Sequence, residues 1–304
     1  MKPVPRWASD FPDTLASRPA RGFPVREKRR RLLADEIYIP PAPYIPHSAR
    51  VRVLLVYPNT YHVGMSNLGF LYLYRILNEH PEISCERAFV EDGLTRRSLE
   101  TDADIGRFDA ILFTLPFEMD ALNVIHFLSD NGIPVMSPDR RDRDWPLIVV
   151  GGAAPSLNPR FLLPFADAVF AGDVEPVFDR MAAALIDLRG KSRDRVLSDL
   201  ECVPGFLTGR RLDAGGEILR PEIRSPRGCF NSVATPHTEF SCSLLVEVER
   251  GCPFKCRFCT VGYERKKLVE MPVDDIARLV RVAESHRLRL GMVGSALLSA
   301  RIWK

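Results

Sequence analysis

Three cysteines, Cys252, Cys256 and Cys259, fall within the eight residues CPFKCRFC, and Phe258 directly precedes the last of them. Thiolates are the natural ligands of iron–sulfur clusters and soft metal ions. A closed structural zinc site uses four protein ligands. Three thiolates around a four-iron cluster leave one iron exposed, where a substrate or cosubstrate can bind. The spacing lets one loop wrap a cube-shaped cluster. Cys242 is poorly placed as a fourth ligand. If residues 243–249 are an extended strand, at ~3.3 Å per residue it lies about 23 Å from the loop. A zinc-bound sulfur sits about 2.3 Å from its metal. Cys229 lies further along a linker, and geometry does not exclude it. Cys85 and Cys202 read as small buried hydrophobes.

The elements that must position this loop follow from periodicity. SLLVEVERG (243–251) is a strand running into the cysteines. VDDIARLVRVAESHR (273–287) carries apolar residues at Val273, Ile276, Ala277 and Val280, a helix face, and Pro272 suits its start. LRLGMVG (288–294) is a second strand, completing one βαβ unit. Upstream, VRVLLVY (51–57), DAILFTL (109–115), LIVVGG (147–152) and DAVFAG (167–172) read as buried strands. Leu68, Leu71, Tyr72 and Ile76 recur at helical spacing, with Ser66 placed to cap them. A second helix stops at Asn131-Gly132, and residues 174–190 form a third that ends in glycine. Alternating strands and helices imply an α/β, doubly wound parallel-sheet domain of Rossmann or flavodoxin type at 50–200. Open sheets of this kind bind ligands at the carboxyl ends of their strands. Asn59 and Gly64 fall near that crevice, although Gly64 and Gly69 also suit a tight turn. Residues 1–49 are a Pro/Arg-rich leader, expected to be solvated and partly extended. Its REKRRR run (26–31) reads as a water-facing charge run rather than a nucleic-acid arm. Residues 201–240 form a linker with a small hairpin at Gly215-Gly216, and 241–304 hold the cysteine unit.

The 304 residues suffice for about two domains. Hydrophobic content of 46% and charge of 27% are those of an ordinary globular protein. A net charge of +3 does not indicate nucleic acid or an anionic membrane. No apolar run has the length of a membrane span, and the N-terminus lacks a signal-peptide core. A cytoplasmic location is expected, so the seven cysteines should be reduced thiols rather than a disulfide framework. Asp102/Asp104 and Asp274/Asp275 suit solvated faces and a helix start. No Ser-His-Asp pattern, P-loop or G-x-G-x-x-G stands out.

C-P-F-K-C-R-F-C (252–259) resembles the C-x-x-x-C-x-aromatic-C signature of the radical S-adenosylmethionine (SAM) enzymes, and its place after a strand and before a helix matches as well. The resemblance implies that Cys252, Cys256 and Cys259 bind a [4Fe–4S] cluster, with SAM chelating the fourth iron and Phe258 near the adenine. It implies reductive cleavage of SAM to start radical chemistry on an unknown substrate, fed by an external electron donor. The upstream domain is similar to the cobalamin-binding-type α/β domain of a radical SAM subgroup. VVGGAAPSLNPRFLLPFADAVFAGDVEPVF (149–178) resembles that group's late segment, with Asp167-Ala-Val-Phe-Ala-Gly172-Asp173 matching D-x-V-x-x-G-[ED]. VYPNTYHVGMSNLGF (56–70) resembles a largely uncharacterised subgroup.

Two departures bear on these expectations. Histidine-ligated cobalamin binding uses D-x-H-x-x-G, whereas this chain has Thr60-Tyr61-His62-Val63-Gly64, so the histidine-ligand motif is absent; His62 reads as an ordinary loop histidine ahead of a cobalt ligand, and histidine-free cobalamin binding stays open. The radical domain is represented by its first βαβ unit only, since a complete eightfold barrel takes ~250 residues. GMVGS (291–295) lacks the acidic residue of the family's Gly-Gly-Glu contact, and ALLSARIWK does not resemble its continuation. The expectation is an incomplete barrel, with open edges and an uncovered apolar face, on a truncated chain that is inactive by itself. The alternative is a ligand- or partner-binding α/β module with a non-catalytic metal-binding cysteine loop; a purely structural metal protein ranks below both.

Overall fold

The computed structural model describes residues 25–39, 49–141, 145–209 and 219–297. The hairpin expected at Gly215-Gly216, most of the Pro-rich leader and most of ALLSARIWK lie outside them.

The central sheet is built from β2 (Val51–Tyr57), β3 (Ile83–Phe89), β4 (Ala110–Thr114), β5 (Leu147–Gly151), β6 (Ala168–Phe170) and β7 (Phe206–Leu207), in the order β3-β2-β4-β5-β6-β7. The first five are parallel, and β7 adds an antiparallel edge. That order is the flavodoxin-type doubly wound one, with its topological switch between β2 and β4. Alternation along β2 explains why both faces are covered. Val51, Val53, Leu55 and Tyr57 join one core with α3 (Leu68–Glu79), α6 (Phe178–Ile186) and α7 (Arg193–Glu201). Leu54 and Val56 join the other with α4 (Ala121–Asp130). The α/β reading of the sequence is thus met by a mixed fold with a mostly parallel sheet.

Local expectations hold with two corrections. Helix α4 ends where glycine permits, with Gly132 at φ +67°. The N-cap of α3, however, is Asn67, whose Oδ1 accepts from the Phe70 N–H at 2.9 Å. Ser66 instead closes the short helix α2 (Tyr61–Met65). Cys85 is buried in β3 as expected, whereas Cys202 is exposed at the end of α7.

The leader expectation also changes. Residues Val25–Ala34 form helix α1, and Ile37–Tyr38 form β1, which pairs antiparallel with β8 (Val233–Ala234). The physical reason is long-range charge pairing. Glu36 has a fully buried side chain that accepts from Arg87 Nη2 at 2.7 Å and from the Tyr61 hydroxyl at 2.8 Å. Lys28 pairs with Glu91, and Arg29 and Arg26 approach Asp102, which is a partner of α1 rather than a solvated face.

The second unit pairs β9 (Ser243–Glu247) with β12 (Arg289–Val293) in parallel, connected through α9 (Val273–Ser285). One face is not bare. Leu244, Val246 and Val248 pack with Leu279 and Ala283 and with Ile39, Phe230 and Ala234, so the β1–β8 ribbon helps cover it. Met292 and Val293 remain partly exposed on β12, which has a strand neighbour on one side among the described residues. No helix among the described residues is long and apolar enough to cross a membrane.

Candidate metal-binding loop and adjoining cavity

The cysteine loop is closed at its base by an antiparallel ribbon, β10 (Glu249–Arg250) on β11 (Val269–Glu270). Gly251 follows at φ +90°, and its α-carbon faces the Lys267 carbonyl with no room for a Cβ. Only glycine fits this turn. The Cys252 N–H then donates to the Arg265 carbonyl at 2.9 Å, tying the start of the loop to its end. Inside the loop the Cys259 N–H donates to the Cys256 carbonyl at 3.1 Å. Helix α8 (Val261–Glu264) packs Gly262 directly on the Phe254 carbonyl. The loop therefore has a shape of its own.

The three cysteines share this loop but differ in surroundings. Cys252 is buried, Cys259 half-buried and Cys256 exposed. Phe258 is 93% exposed, so its ring is free to meet a ligand. Among the described residues no three His, Cys, Asp or Glu side chains converge on one metal centre. The donor set fits an iron–sulfur cluster nevertheless, because three thiols on one closed loop, with two reachable from solvent, are the ligands such a cluster takes. Cys242, immediately before β9, is separated from the loop by that strand. Cys229 is buried beside Glu247 and Arg250, and burial pushes its thiol well above the ordinary range.

A cavity of about 440 Å³ opens at the carboxyl ends of β4, β5 and β6, between the sheet and the second unit. Its floor is apolar, from Leu112, Phe113, Val149 and Phe170, and Tyr72 lines it from α3. Arg250 and Glu247 border it on the side of the second unit. A neighbouring cavity of about 320 Å³ lies between Gly152–Ala153 and the loop residues Gly251, Thr260 and Val261. Both sites are where an open α/β sheet is expected to hold ligands. Asn59 is bonded to Asp120 at 3.1 Å and does not line either cavity. Gly64 packs against Phe89 and Tyr57, where a Cβ would lie 2.6 Å from a ring carbon, so close packing requires it rather than a turn. His62 is half-exposed on α2, 3.6 Å from Glu239, and also stands outside both cavities. The residues present do not fit histidine-ligated cobalamin.

Asp167-Ala-Val-Phe-Ala-Gly172-Asp173 now acquires physical roles. Asp167 accepts from Arg193 Nη2 at 2.7 Å, Ser137 Oγ at 2.8 Å, Arg140 Nη2 at 3.1 Å and, through Oδ2, the Ile148 N–H at 2.7 Å. Gly172, at φ +126°, faces Pro221, whose Cδ would lie 2.6 Å from a Cβ. Asp173 accepts from Arg250 Nη1 and Arg265 Nη1, each at 2.7 Å, and from the Ile223 N–H at 2.9 Å. Arg250 also donates to Glu175 at 2.9 Å and through Nε to Glu247 at 2.8 Å. Burial works to lower the Arg250 pKa, yet the hydrogen bonds and charges of Glu247, Glu175 and Asp173 hold it above its ordinary value. Beyond the charges themselves, no local pattern signals this cluster, because its members come from segments about a quarter of the chain apart.

An open doubly wound sheet followed by a cysteine-bearing βαβ unit is the arrangement these residues define. Residues 69–208 match the family of radical SAM proteins, N-terminal, and this supports a place in the radical SAM superfamily. The match covers β3 to β7 of the sheet and not β2 or the cysteine loop, so it and the cysteine pattern rest on different residues. The chain is also 26% identical over 212 residues, 68% of its length, to an uncharacterized protein of Methanocaldococcus jannaschii. It spans 40% of that relative's length.

Proposed function

We propose that this chain carries the cluster-binding part of a radical SAM enzyme. Cys252, Cys256 and Cys259 would hold a [4Fe–4S] cluster with one iron left for SAM, and Phe258 would lie against the adenine. When bound, the cluster supplies the electron that cleaves SAM reductively, starting radical chemistry on a substrate. The chain's own contribution is to gather three thiols on a glycine-closed loop and set that loop against the carboxyl edge of the sheet. The observation that carries the reading is the three-cysteine loop with Phe258, closed by Gly251 and by the Cys252–Arg265 hydrogen bond, beside an independent N-terminal family match. The electron donor is external, and the substrate is unassigned.

Replacing Cys256 by Ala tests the assignment. After anaerobic reconstitution with iron and sulfide, the wild type should bind about four irons with visible cluster absorption. The variant should lose both while its circular dichroism stays unchanged, since Cys256 is exposed. Full iron in the variant would remove Cys256 from the ligand set.

A second reading, a ligand-binding α/β module, is favoured by the apolar cavity at the ends of β4, β5 and β6. Its size falls within the range of small-molecule sites. The readings are compatible, because that cavity and the loop share Arg250 and Arg265 as a wall.

A further inference from the structure

The residue connecting the sheet to the cysteine loop is Asp173. It is 3% exposed and follows the strained turn at Gly172, beyond the carboxyl end of β6. Its carboxylate receives guanidinium groups from both ends of the loop. Arg250 stands two residues before Cys252. Arg265 lies beyond Cys259, and its carbonyl is the acceptor for the Cys252 N–H. Asp173 accepts from both Arg265 Nη atoms, a fork geometry that fixes orientation as well as distance. Arg250 has further carboxylates in Glu175 and Glu247, whereas the described side-chain bonds of Arg265 both end on Asp173. Two cations and three anions thus meet at one junction around the buried Asp173 carboxylate.

From this arrangement we infer that Asp173 is a positioning residue: it docks the cysteine loop onto the α/β sheet by holding Arg250 and Arg265 at its two ends. The functional consequence rests on the reading of that loop as a cluster ligand. The docking itself rests only on the geometry. Loss of the Asp173 charge releases Arg265 first. It thereby loosens the end of the loop that shields the Cys252 backbone, while Arg250 stays held by its two glutamates.

The test uses the whole chain with Asp173→Asn and, separately, Arg265→Gln, a half-buried position whose replacement leaves Asp173 paired with Arg250. Metal-free reduced protein is pulsed with iodoacetamide, and each cysteine is followed by mass spectrometry. Cys252 should label about tenfold faster in each variant, as expected when one partner of a partly buried ion pair is removed. Cys85, inside the sheet, should label at the wild-type rate. The double variant should label no faster than Asp173→Asn alone, because that change already removes the interaction with Arg265. In reconstituted protein, iron should pass to a chelator about tenfold faster in both variants. Wild-type labelling of Cys252 in both variants overturns the inference, as does equal acceleration at Cys85, which would mean general loosening. If wild-type protein takes up no iron, the cluster reading fails, and the labelling result still decides the docking role.

Discussion

Asp167 and Asp173 belong to one short motif and do different work. Asp167 is satisfied entirely within the sheet domain, by Arg140, Arg193, Ser137 and the Ile148 N–H. Burial lowers the Arg140 pKa against the pull of Asp167, so this guanidinium is costly to leave unpaired. Asp167→Asn should therefore destabilise the protein by about 3–5 kcal/mol, the cost of removing one partner from a buried pair. Urea denaturation checks this, and a loss below about 0.5 kcal/mol, typical of surface changes, would contradict it. The sequence resemblance identified the motif but not this division of labour. Neither arginine partner of Asp173 is near it in sequence, and spacing rules see only neighbours.

Among elements, the helix–strand segment before the sheet shows where local reading stops. Its arginines and prolines suggest a solvated leader, yet Glu36 lies inside the protein against Arg87, which also donates through Nε to Glu100 at 2.6 Å. Glu36 and Glu100 hold the Arg87 guanidinium well above its ordinary pKa despite the burial that opposes them. Replacing Glu36 by Leu leaves Arg87 with Glu100 alone and should cost about 3 kcal/mol in denaturant unfolding. An unchanged midpoint would show that α1 and β1 contribute nothing to the fold. The strands are legible because β2 (VRVLLVY), β4 (AILFT) and β5 (LIVVG) are short, mostly apolar runs. Likewise α9 and β12 form where the sequence places them, although α9 buries Leu279 and Ala283 rather than the expected face, and Val273 is exposed. Asn67 displaced Ser66 as a cap because both residue types suit that role and only the backbone geometry chooses. In the site, the cysteines and Phe258 were visible as a pattern. The Gly251 turn was not, because it depends on the close approach of Lys267 from the far side of the loop, nor was the Arg250–Asp173–Arg265 junction, because it depends on how two distant units meet.

At the level of the whole molecule, two buried thiols and several buried phenols set the alkaline limit. Burial pushes Cys85 and Cys229 well above their ordinary 9.0 and Tyr57 from 10.0 up to about 12. A group kept protonated in the fold contributes stability that is fully present below its unfolded pKa and is lost as pH rises toward its folded value. The unfolding free energy should accordingly fall above pH 9.0, and fall more steeply once the phenols of the unfolded chain ionise. Urea midpoints at a series of alkaline pH values measure this, and a flat profile would contradict it. The larger claim is that the sheet and the cysteine loop together present a cluster with one open iron. Electron paramagnetic resonance of the reduced, anaerobically reconstituted protein, recorded with and without SAM, tests it most directly. The account predicts a cluster signal that shifts when SAM is added and disappears when Cys252, Cys256 or Cys259 is replaced. A signal indifferent to SAM, or one that survives loss of any of the three cysteines, would contradict it.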